Sequence, residues 1–215
     1  QARFGSELDT EAEDACAELA PMLKGLSRER VAMELLKLLA LPDPAPTVTR
    51  MQAVGVLPVV LPESGAAGVA ALTALVDQEA QQGVAPDAVR RLAALLPADA
   101  KQADGVAARL RLSTAQRKRL GTAAKRENGE PRALAYRLGR EGALDALMLT
   151  GKSLTPLNGW DVPSFPLKGG EIVARGVGAG PQVARILRTV EQRWVDEGFP
   201  DRARVEAILV EELAA

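Results

Sequence analysis

The chain contains no histidine and a single cysteine, Cys16. Without histidine, the usual general base and the commonest transition-metal ligand are missing. Serine–histidine and cysteine–histidine nucleophilic catalysis are excluded. One cysteine excludes a disulfide within the chain and fits a reducing compartment, so a cytoplasmic location is expected. Aromatic residues are only 3% of the chain. A core must therefore be built mostly from Ala, Leu and Val, and the abundance of Ala and Leu favours helices. Long apolar runs are also lacking. The longest uncharged stretches, residues 51–62 and 64–76, are too short or too proline-broken to span a bilayer, so no membrane partner is expected. No signal peptide is visible. No Asp-x-Asp pair suited to two-metal phosphoryl chemistry and no Walker loop occurs. Taken alone, the chain is expected to be inactive as an enzyme.

What is present looks like an ordinary globular protein. Of 215 residues, 47% are apolar and 26% charged, enough for a substantial core. The 27 basic and 28 acidic residues leave a net charge of -1. That balance hides a dipolar arrangement. Between residues 105 and 126 lie Arg109, Arg111, Arg117, Lys118, Arg119, Lys125 and Arg126, with no acidic residue among them. The ends are acidic, with Glu7, Asp9, Glu11, Glu13 and Asp14 at the start and Glu206, Glu211 and Glu212 at the finish. The first acidic group reads as a solvated helix N-terminus, favoured by the helix dipole.

Helical signals run along the whole chain. Thr10 to Glu13 form a capping-box pattern, and Pro21 is expected to kink or split the helix that follows. Ser27 caps a second helix carrying Val31, Leu35, Leu38 and Leu39 at helical spacing. A short helix is expected over 47–54, then others near 66–82, after Asp87, over 101–112, after Ser113, and over 132–150. Residues 151–170, rich in Pro and Gly, read as a loop or boundary. A long amphipathic helix over 181–197 and a last one over 202–213 complete the chain. No segment alternates with period two. The expected fold is all-α, an irregular multi-helix array with no significant β-sheet. Its expected parts are helices over 1–62, a helical body over 63–150, and a loop plus helical tail over 151–215.

Two features have the chemistry of a phosphate contact. Arg109 and Arg111 end one helix, and Arg117, Lys118 and Arg119 begin the next, so their cations gather around one corner. Either this is a solubilising face, or it holds RNA phosphates without reading sequence. Gly176 to Pro181 delivers a proline to the first position of a helix. Either it is a tight inter-helix turn, or its N–H groups and the helix dipole hold a phosphate. No strand precedes it, so the dinucleotide-loop reading fails.

Several segments then line up with one family. Ser27-Arg28-Glu29-Arg30, followed by Glu34-Leu35-Leu36-Lys37-Leu38-Leu39, resembles the neck motif of bacterial tRNA CCA-adding enzymes and poly(A) polymerases. Residues 53–63 resemble that family's Gly-Val-Leu…Leu-Pro-Glu segment. Residues 91–96 and 109–113 are similar to its body helices. Residues 165–171, the turn over 176–181, and Trp194 with Gly198-Phe199 are similar to its tail. The tail turn departs from the family pattern, with Gly178 where a proline is usual and Ala184 where a glycine is usual.

The resemblance implies an RNA-binding neck, body and tail whose partner is tRNA. It also implies a separate N-terminal nucleotidyltransferase head that binds magnesium and nucleoside triphosphates, leaving this chain without a cofactor of its own. Arg3-Phe4-Gly5 would lie just after the head's nucleotide-selecting segment. Arg30, Glu34 and Lys37 would brace the nucleotide pocket, the equivalent physical reading being a buried Arg–Glu pair. RNA contacts would come from the basic run, with Lys168, Gly178 and Gly180 in the tail. The sequence leaves open a poly(A) polymerase module, and a helical scaffold that forms a homodimer through its tail without binding RNA.

Overall fold

The computed structural model describes residues 10–214. Arg3 to Gly5, Glu7 and Asp9 lie outside them. The described residues form twelve α-helices and two 3-10 turns, with no strand. The chain divides into two compact units. One comprises residues 1–128 and 141–155, the other residues 129–140 and 156–215.

In the first unit, α1 (Thr10–Leu19) gives way to a 3-10 helix (Ala20–Gly25) with Pro21 in its first turn, so the expected proline break is a change of helix type. In α2 (Arg28–Leu39), Ser27 caps the Arg30 N–H. Next, α3 (Ala45–Ala53) begins two residues earlier than expected, because Pro46 fits a helix's first turn. The apolar segment after Gly55 is itself helical, as α4 (Val56–Val60). Then come α5 (Ala66–Gln82), α6 (Ala88–Leu95), α7 (Ala100–Arg109) and α8 (Thr114–Ala124). The N-terminus of α6 is held by Asp87, whose carboxylate accepts from the Val89 and Arg90 N–H groups at 2.9 Å. Asp99 plays that part for α7, and Ser113 with Gln116 closes a capping box on α8.

The core of this unit is almost purely aliphatic. Leu39, Leu57, Leu61, Leu72, Leu92, Leu110 and Leu120 are fully buried. Each contributes on the order of 1.5–3 kcal/mol. One apolar cluster joins residues of α2 and α4 to residues of α5 through α8. Small residues let the helices approach. At Gly68 in α5, a Cβ would lie 2.4 Å from the Leu95 carbonyl oxygen. Four charged residues are sealed in the same core: Glu79, Arg90, Arg91 and Asp145. Arg90 and Arg91 each donate from Nε to the Glu79 carboxylate, at 2.9 and 2.8 Å. Arg91 Nη1 also donates to the Leu39 carbonyl at 2.7 Å, and Nη2 to Pro42 at 3.1 Å. It thereby satisfies carbonyls at the C-terminus of α2.

The helix expected over 132–150 is observed as α9 (Pro131–Leu149), with a break at Gly139. Gly139 has φ 74° and ψ 167°, a backbone state essentially restricted to glycine.

The second unit holds the first part of α9, then α10 (Gly169–Val173), α11 (Pro181–Asp196) and α12 (Arg202–Ala214). Its core differs in chemistry. Ile172, Ile186, Val190, Val205, Ile208 and Leu209 pack around Trp194. Tyr136, Trp160, Phe165, Trp194 and Phe199 form one aromatic cluster, with ring centroids 4.9–5.6 Å apart. Trp194 donates from Nε1 to the Pro200 carbonyl at 2.8 Å, so its polar atom is satisfied. Nearly all the chain's few aromatics are spent on this one small core.

Candidate nucleic-acid interface

The basic run contains no acidic residue, but carboxylates reach it in space. Arg109 donates to the Val60 carbonyl at 3.0 Å and pairs with Glu63. Arg111 pairs with Glu29. Arg117 forks Asp104, with Nη2 to Oδ2 at 2.6 Å. Arg119 meets Asp145, Asp87 and Glu141. Arg126 donates from Nη2 to the Leu96 carbonyl at 2.8 Å, beside those of Ala93 and Ala94. That places its cation at the C-terminus of α6, where the helix dipole favours it. The repulsion that the bare sequence implies is therefore relieved by α2, α7, α9 and the segments before α5 and around α6.

The acids register these contacts. The hydrogen bond from Arg117 holds Asp104 below the usual carboxylate range. For Asp87, burial works against ionisation, but the Arg90 N–H and Arg119 outweigh it, and the net direction is down. Arg119 is held further into its charged form, first by its hydrogen bonds to Asp145. Arg111 and Arg126 also have left-handed backbones, with φ 53° and 47°. Each takes the position after a helix that glycine usually fills.

Three cations of the run remain without an ion-pair partner among the described residues: Arg126, whose guanidinium is taken up by carbonyls, and Lys118 and Lys125. Both lysines are exposed, Lys118 on α8 and Lys125 just after it, and line an open groove between α7 and α8. Lys101, at the start of α7, lines it too and likewise has no ion-pair partner among the described residues. It lies outside the basic run, and only the packing of α7 against α8 brings it to Lys118 and Lys125. Gly121 and Thr122 keep the groove floor low, and Asp104 at its edge is neutralised by Arg117. The arrangement is a row of flexible ammonium groups above small side chains, suited to phosphates.

On α2, the buried Arg30–Glu34 pair expected from the sequence is not formed. The buried face of α2 carries Val31, Ala32, Leu35 and Leu39. Helical spacing puts Arg30, Glu34 and Lys37 on the other side, where all three are exposed. Glu34 accepts instead from Lys37 at 2.9 Å. The buried Arg–Glu contact of this unit is Glu79 with Arg90 and Arg91. Arg30 and Glu34 border an apolar groove of about 490 Å³ lined by Leu23, Leu26, Met33, Leu38, Met51 and Val56. Of its lining, Leu26 and Met33 are exposed.

Lys168, Gly178 and Gly180 belong to the second unit, the basic run to the first. Lys168 is exposed just before α10, and its N–H donates to Glu171 at 2.8 Å. Gly180, at φ 139°, delivers Pro181 to the first turn of α11, and no side chain caps that helix. The second unit also presents Arg132, Arg137 and Arg140, which the sequence reading did not single out. They are scattered among apolar residues and show no run.

Among the described residues no group of three or more Cys, Asp or Glu side chains could hold a metal ion. No described helix is long and apolar enough to cross a membrane. A search of the curated proteins returns no match to the chain. Residues 5–67, which run through α1, α2, α3 and α4 to the start of α5, match the family model described as "Probable RNA and SrmB- binding site of polymerase A".

Proposed function

We propose that this chain is the RNA-binding helical module of a tRNA nucleotidyltransferase, and that it holds tRNA while CCA is added to the 3′ end. The observation that carries this reading is the family match over residues 5–67. The groove of Lys101, Lys118 and Lys125 supports it, because these ammonium groups have no ion-pair partner among the described residues. Lysines of this kind grip a duplex by its phosphates and its shape. The exposed side of α2, with Arg30, Glu34 and Lys37, is free to face a nucleotide pocket contributed from outside these residues. Catalysis, with its magnesium ions and nucleoside triphosphates, is assigned to a nucleotidyltransferase head.

Binding of labelled tRNA, measured against salt, tests the reading. If about four phosphates are neutralised, the log–log slope is expected at about -3.6. Salt-independent binding, or none, overturns it. Competition by poly(A) that matches or exceeds tRNA would move the assignment to a poly(A) polymerase module. A tight dimer in sedimentation that ignores RNA would move it to a scaffold.

A further inference from the structure

Two arginines of the second unit are held differently from the ion-paired arginines of the basic run. Arg132 donates from Nε to the Pro156 carbonyl at 3.2 Å, and its guanidinium carbon lies 5.6 Å from the centroid of the Trp160 ring. Arg140 donates to the Trp160 carbonyl at 3.2 Å and to the Leu157 carbonyl at 3.4 Å. Among the described residues, neither has a carboxylate partner. The Glu130 carboxylate accepts from the Ala133 N–H at 2.9 Å, and Asp161 forms no ion pair with either arginine. A carbonyl orients a guanidinium without cancelling its charge. Both cations are therefore fixed, exposed and unneutralised.

The ring beneath Arg132 is fixed as well. Trp160 is half-buried and backs onto Phe199, with centroids 5.3 Å apart. At cation–π distance above the ring, the guanidinium adds a second planar, charged surface beside it. Because Arg132 is already ordered by Pro156 and Trp160, a base landing on it loses little further side-chain freedom. Arg140, tied to the same loop, supplies charge beside that surface.

We propose that Arg132, Arg140 and Trp160 form a site for one unpaired RNA nucleotide. The base stacks on the guanidinium of Arg132, and a neighbouring phosphate is held by Arg140. This rests on the RNA-binding reading above and adds to it a contact with single-stranded RNA. Proteins recognise unpaired bases in this way, on aromatic rings and arginine planes. The site reads a base's flat face and is tolerant of its identity.

The experiment uses the full chain and short fluorescent RNA strands, one intact and one with an abasic position, alongside duplex RNA. The intact strand is expected to bind about tenfold tighter than the abasic one. It is also expected to quench part of the tryptophan emission, and Trp160→Phe, which leaves Trp194 as the chain's one tryptophan, is expected to remove that quenching. Arg132→Lys keeps the charge but removes the plane. It is expected to abolish the preference for the intact strand while leaving duplex binding unchanged. Lys118→Ala with Lys125→Ala is expected to weaken duplex binding and keep the preference. Equal binding of intact and abasic strands overturns the site, as does a preference that survives Arg132→Lys. If duplex RNA binds normally while the preference is missing, only this site fails. If no RNA of any kind binds, the RNA-binding reading fails and takes the site with it.

Discussion

Arg119 grips Asp145 at two points, with Nε 2.8 Å from Oδ2 and Nη2 3.0 Å from Oδ1. Asp145 is 1% exposed, so the pair replaces the water this carboxylate gave up on folding. Removing the arginine leaves a buried charge short of its main partner. Arg119→Ala is expected to cost about 3–5 kcal/mol of stability in urea unfolding. Arg90 lies 3.9 Å from the same carboxylate. A variant as stable as the parent would mean that Arg90 alone satisfies Asp145.

Lys118 and Lys125 are expected to behave in the opposite way. Each is exposed and unpaired, so alanine at either position should leave the melting temperature unchanged. Each substitution should make the log–log salt slope of tRNA binding shallower by about 0.9. Lys101→Ala is expected to match them. A full slope with all three replaced would clear the groove of any role. Replacing Arg117, Lys118 and Arg119 together would mix binding with folding, because Arg117 and Arg119 hold Asp104 and Asp145.

Tyr136 is the chain's only tyrosine, so its titration can be read by absorbance without assignment. Burial, then the hydrogen bond to Glu191, pushes its pKa from 10.0 up to about 12. The folded value lies above the unfolded one. Its contribution to stability is present below about pH 10 and is lost as pH rises through about 12. A tyrosinate midpoint near 12 is expected in the folded chain, and near 10 in denaturant. Glu191→Gln should lower the folded midpoint only part of the way, because burial remains. A folded midpoint at 10 would rule out the contact.

Glycine replacement should separate close packing from helix propensity. At Gly68 a methyl group meets the Leu95 carbonyl oxygen at 2.4 Å, and backbone cannot move aside cheaply. Gly68→Ala is expected to destabilise by about 1–3 kcal/mol. At Gly121, also within a helix, nothing lies within 4 Å. Gly121→Ala is expected to stabilise by roughly 0.5–1 kcal/mol. Chemical denaturation of both variants checks the pair, and equal effects would contradict the close approach of α5 to α6.

Much of the helical architecture was legible in the order of residues. Ser27, Asp87 and Ser113 announce the starts of α2, α6 and α8, since a side-chain oxygen before an apolar run is a local signal. Pro181 does the same for α11. The break in α9 was not legible, because Gly139 looks like any tolerated helical glycine until its backbone angles are known. Lys101 was missed because it reaches the groove only through the packing of α7 on α8. Arg132 and Arg140 were missed because nothing in their spacing distinguishes them. What sets them apart is the loop carbonyls and the Trp160 ring they touch.

The sequence by itself determined the all-helical class, the caps, the lack of histidine-based chemistry and the presence of a basic run. All of these follow from composition or from neighbours a few residues apart. Only the tertiary structure decided which cations are spent and which are free. Arg109, Arg111, Arg117 and Arg119 draw their carboxylates from as far away as Glu29 and Asp145, while Lys118 and Lys125 draw none. Charge compensation acts through space over a few ångströms. A stretch without acids can thus be neutral at most of its arginines and still offer a phosphate surface at its lysines.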